Sequence, residues 1–149
     1  MVKDKKLYRK MLILRSTYGK EKHQVITVGI LTTDGLIVCV LGGEKPHVGA
    51  VAVAIPRPSL KNNRSTSATT SVFTLTGHKD DEIAKPVAHN FAKSTGLTTV
   101  VIAGLHIEKA SQNDIAKLAG NAIKASKKLL RTWMSVKKSF SARECYEKG

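Results

Sequence analysis

Apolar residues fall into short β-branched runs as far as residue 75, after which helical and strand-like spacing alternate. Met11–Leu14 predicts a short first strand and Tyr18–Lys22 a polar turn. Gln24–Thr32 and Leu36–Leu41 flank Thr33-Asp34-Gly35, and Asp-Gly between apolar runs predicts an antiparallel hairpin because both residues tolerate positive φ. Val48–Ile55 reads as an Ala/Val strand ended by Pro56 and Pro58, and Ser59–Ser67 as an exposed loop. The stretch Thr66–Asp81 looks like the organiser of the chain: a strand over Thr69–Leu75, a sharp exit at Gly77, then acids suited to a helix N-terminus.

In that helix Ile83, Val87 and Phe91 recur four apart beside Ala84, Ala88 and Ala92, which gives one apolar stripe. Pro86 predicts a loose first turn, a kink or a later start, and Gly96 a C-terminal stop. Thr98–Ile107 is apolar enough for a central strand, reached from the preceding one by a parallel crossover. Ser111 with Asp114 has the form of a capping box, opening a long amphipathic helix from Ile115 to Trp133. The expected fold is a single α+β two-layer domain, with a mainly antiparallel sheet, one parallel crossover and two helices on one face. Its ordered core spans about 11–133, flanked by basic segments 1–10 and 134–149.

Charge changes this picture only at the ends. Of a net +14 over 149 residues, residues 1–22 and 124–149 contribute +6 each, from eight Lys or Arg against two acids in either segment. Such ends suit nucleic acid or an anionic membrane, or else are solvated helix faces and tails. An aromatic content of 5% leaves few platforms for stacked bases. Cys39 and Cys145 read as reduced thiols of a cytoplasmic protein, and no run is long enough to span a bilayer.

The chain has no Gly-x-Gly-x-x-Gly, P-loop, His-Glu-x-x-His, Cys-x-x-Cys or Gly-x-Ser-x-Gly. What remains is a set of polar residues at strand ends. If 48–55 and 69–75 run antiparallel and 69–75 and 98–107 parallel, His47, His78 and His106 share one sheet edge with Lys79 and Asp80. That edge suits an anionic cofactor at helix N-termini, or a metal held by His47, His78, Asp80 and His106. Alternatively each histidine is a separate strand-end residue and the acids cap helices. For Ser67, Thr69, Thr70 and Ser71 no adjacent base is identifiable, so they read as sheet surface.

His47–Arg57, Ser67–Asp81 and Ala103–Ile107 together resemble successive motifs of the LpdD-like prenylated-flavin chaperone domain family, which accompanies UbiD-type decarboxylases. The resemblance covers roughly residues 23–130, and Gly77-His-Lys-Asp-Asp81 before an alanine-rich helix is its most specific part. It implies a non-catalytic accessory protein that helps such a decarboxylase acquire or retain prenylated FMN. Its layout is also similar to small proteasome-assembly chaperones, which implies a homodimer. No catalytic residue is carried over. A nucleic-acid-associated basic protein and a small metal-dependent enzyme using the histidine edge stand as the alternatives.

Overall fold

The computed structural model describes residues 12–75 and 79–146, with side chains described as far as Lys137. Six strands form one sheet: β1 (Leu12–Tyr18), β2 (Val25–Leu31), β3 (Gly35–Gly43), β4 (Ala50–Pro58), β5 (Thr66–Thr74) and β6 (Thr98–His106). Two helices complete the fold, α1 (Asp81–Thr95) and α2 (Gln112–Tyr146). The sheet order is β1-β2-β3-β6-β4-β5, and every neighbouring pair is antiparallel except β3–β6. This is the expected α+β class.

The hairpin forms at the expected place. Thr32 N–H donates to Gly35 O at 2.9 Å, and the Thr32 hydroxyl accepts from Gly35 N–H at 3.0 Å. β1 continues through Arg15–Tyr18, further than its apolar run, because Ser16 and Tyr18 still find partners in Thr27 and Val25. β5 and β6 run in the same direction but are not neighbours. β4 lies between them, so the directly paired parallel strands are β3 and β6. The organiser proposed from sequence is therefore an edge strand, and its Ser- and Thr-rich composition suits a half-solvated place. Pro56 and Pro58 belong to β4, beyond Ala54–Thr99 where its pairing with β6 ends, so their missing N–H groups cost the sheet nothing.

α1 starts at Asp81 despite Pro86, with a tightened entry in which Glu82 and Ile83 N–H bond three residues back to Lys79 and Asp80. Gly96 ends it in the left-handed conformation. α2 begins at the expected box: the Ser111 hydroxyl accepts from Asp114 N–H at 3.1 Å, and Ser111 N–H donates to the Asp114 carboxylate at 3.1 Å. It runs on through the predicted tail to Tyr146.

Both helices pack on one face of the sheet. Val25, Val38, Val40, Ala52, Ala54, Val101 and Ala103 are fully buried there, under Val87, Ala88 and Phe91 of α1 and Ala122, Ala125 and Leu129 of α2. Small residues on β4 let α1 approach closely. Thr27, on the same face, donates its hydroxyl to Ala125 O at 3.3 Å.

The alternate residues point the other way. Ile26, Val28, Ile30, Ile37, Cys39, Leu41, Val51, Val53, Val100 and Ile102 occupy the opposite face, where each is only partly covered. Ile13, Ile55 and Phe73 extend it toward both edges with 59%, 57% and 75% exposure. Among the described residues nothing packs on this face.

Candidate functional site

Two parallel-running strand ends and one antiparallel start do meet at the edge predicted from sequence. His47 precedes β4, His106 ends β6, and Asp80 follows β5 at the entry to α1. The His47 and His106 rings lie edge to face with centroids 6.1 Å apart. His47 Nε2 is 3.2 Å from Asp80 Oδ2, and its Nδ1 is 3.1 Å from Lys45 O. Asp80, 6% exposed, accepts Leu105 N–H on Oδ1 at 2.9 Å, so its carboxylate ties α1 to β6 and orients His47. It makes no side-chain cap to its own helix.

Two glycines permit this closeness. A Cβ at Gly49 would sit 1.8 Å from Asp80 Oδ2, and one at Gly104 would sit 1.6 Å from His47 O. No substituent fits at either position without moving the edge apart.

Sequence reasoning missed the residues that surround this pair. Glu44 and Lys45 follow β3, and their N–H groups both bond His106 O; Glu44 Oε2 accepts Glu108 N–H at 2.9 Å. Lys45 forms an ion pair with Glu108, whose carboxylate also lies 3.9 Å from His106 Nε2. The hydrogen bond between them raises the Lys45 ammonium above its ordinary value and lowers the Glu108 carboxyl below its own. The signal available was the direct β3–β6 pairing, which places residues 44–45 beside 107–108. His78 lies outside the described residues, and Lys79 is exposed at the rim.

At the described part of this edge acidic and basic side chains are interleaved. Carboxylates of Asp80 and Glu108 stand against His47, His106 and Lys45, and a phosphate placed among them meets like charge. No three His, Cys, Asp or Glu side chains converge in a metal-binding arrangement among the described residues. What the edge does is fasten β3, β4, β6 and α1 together at one end.

The hydroxyl residues of β5 divide between the two faces. Thr69 accepts from Arg57 Nε at 2.9 Å, and Thr70 Oγ1 lies 3.4 Å from His89 Nδ1. That Thr–His approach was not anticipated, and no described carboxylate orients the ring. No described helix is long and apolar enough to cross a membrane. Cys39 is a free thiol on the open face.

A single sheet with both helices on one side, a polar edge held by its own hydrogen bonds and an apolar face that no described residue covers define the scaffold. A similar fold occurs in a chain from a chaperone complex for yeast 20S proteasome assembly, with a TM-score of 0.53 and 14% identity, covering 84% of this chain and 96% of that one. The chain belongs to the prenylated flavin chaperone LpdD-like domain family, whose model matches residues 19–134. A comparison with curated protein sequences gave no match.

Proposed function

We propose that this chain is a non-catalytic accessory chaperone that acts in the cytoplasm as a homodimer and assists maturation of a prenylated-flavin-dependent UbiD-type decarboxylase. The observation that carries this reading is family membership over residues 19–134, which takes in β2 to β6, α1 and most of α2 and leaves out β1. Prenylated FMN enters the reading as the cofactor of the partner enzyme. The chain's own residues supply surfaces: an open apolar face, an unguarded sheet edge and basic ends.

The homodimer rests on the open face. Six strands spaced about 4.8 Å and roughly 20 Å long present a projected area on the order of 600 Å². A corrugated side-chain surface exceeds its projection, so the face approaches the roughly 800 Å² per partner of a stable interface. Its centre, from Val28 through Ile37 and Cys39 to Val100 and Ile102, carries no charge, which matches the apolar composition of permanent homodimers. A patch of this kind needs standing cover, and two copies laid face to face would form a closed sandwich.

The test is reconstitution. Apo-decarboxylase loaded with prenylated FMN should reach a higher holoenzyme fraction when this chain is present, read by flavin absorbance after desalting. An unchanged fraction with the chain in saturating excess overturns the reading.

A further inference from the structure

At the far side of the sheet from β1, β5 is an edge strand of nine residues with no charge and no proline, and no described strand lies beyond it. Edge strands normally carry such guards against pairing with other chains. Leu75 N–H bonds Gly49 O at 2.9 Å and Ser59 N–H bonds Ser65 O at 2.8 Å, at the two ends of the β4–β5 ladder. The alternation of an antiparallel ladder then puts Ser67, Thr69, Ser71 and Phe73 in the positions bonded to β4. Ala68, Thr70 and Val72 consequently direct their N–H and C=O groups outward.

Beside these outward groups lies an open groove of about 450 Å³ lined by Ala68, Thr70, Lys85, Pro86, His89 and Asn90. The lining holds a lysine and an imidazole and no acid. Lys85, His89 and Lys93 recur every four residues, so they form one stripe along α1 parallel to the groove. Among the described residues none of the three has a carboxylate partner.

We propose that the β5 edge receives an extended, acidic segment of a partner protein as an added strand. Backbone bonds to Ala68, Thr70 and Val72 supply affinity, and a carboxylate side chain reaching Lys85 and His89 supplies selectivity, as in strand-addition recognition generally. A second copy does not suit this edge. Pairing two β5 strands about a two-fold axis would set one basic α1 stripe beside the other, and like charges in register oppose association. The inference holds whichever enzyme the partner is.

The probe is a ten-residue peptide alternating Val and Glu, with a Val/Lys peptide as control, titrated into the isotope-labelled full chain. Amide shifts should be confined to 66–74 and 81–93, with the Glu peptide binding about tenfold or more tighter than the Lys peptide. Lys85→Glu with Lys93→Glu should reverse that preference. Thr70→Pro removes an outward N–H while sparing the ladder to β4, and should abolish binding with the fold retained. If that variant does not fold, the charge reversal decides alone. Equal affinity for both peptides, shifts on the open sheet face instead, or concentration-dependent β5 shifts without peptide would each overturn the proposal.

Discussion

Along β6, Thr99, Val101 and Ala103 lie under the helices with no exposure, while Val100 and Ile102, one residue away in each case, face outward and stay partly exposed. The same division runs through β2, where Val25 and Thr27 are fully buried and Ile26, Val28 and Ile30 are not. Both faces are built from β-branched aliphatics, yet the described helices cover only one of them. Burial on the helix face stabilises the monomer. If the open face is the proposed surface for association, substitutions on the two faces should have separable effects.

The largest effect is expected on the covered side. Phe91, 2% exposed, packs from α1 into the core, and Phe91→Ala should cost about 3–5 kcal/mol in urea unfolding through lost burial and the cavity left behind. The association constant of whatever remains folded should be unchanged.

Next comes the open side, where Ile102→Glu places a carboxylate at the centre of the face. We expect it to weaken self-association by at least about thirtyfold, corresponding to a hot spot of about 2 kcal/mol. Unfolding of the diluted monomer should shift far less than for Phe91→Ala. Equal loss of monomer stability would erase the distinction between the faces.

A smaller effect, confined to the helix side, depends on pH. Asp114 holds Lys22 at 3.0 Å, His23 at 2.7 Å and the Ser111 hydroxyl at 2.8 Å, and these bonds, with Lys22 foremost, hold its carboxyl well below the usual carboxylate range. A folded-state value below the unfolded one adds stability at pH above the unfolded carboxylate range, and that contribution is lost as pH falls toward the folded value. The gap in urea midpoint between the native chain and Asp114→Asn should thus be full at neutral pH and narrow as pH drops below about 4. A gap that widens in acid contradicts this.

How much of this was legible in the sequence depends on how local the signal is. The Asp-Gly hairpin, the Ser111–Asp114 box and the Gly96 stop are set by neighbours in the chain, and each forms where expected. His47 and His106 could be brought together from strand direction alone, because direction fixes which end of a strand reaches an edge. Insertion of β4 between β5 and β6 was not legible, since no local pattern encodes which strand a crossover skips. That insertion made the presumed organiser an edge, while the β3–β6 pairing brought Glu44 and Lys45 beside Glu108. The open face did leave a trace: Val25–Leu31 is apolar at both alternations apart from Thr27 and Gly29, a pattern of strands covered on two sides. Among the described residues both helices lie on the other face, so a second copy is the cover proposed for this one.

Sedimentation equilibrium on the full chain, run from low to high salt, tests that most directly. A pair closed through the open face should give a mass near twice 16.1 kDa. Because each copy carries +14, added salt should screen the repulsion and tighten the pair, whereas binding to nucleic acid through the basic ends would weaken with salt. A single-chain mass at every concentration and salt would contradict the account.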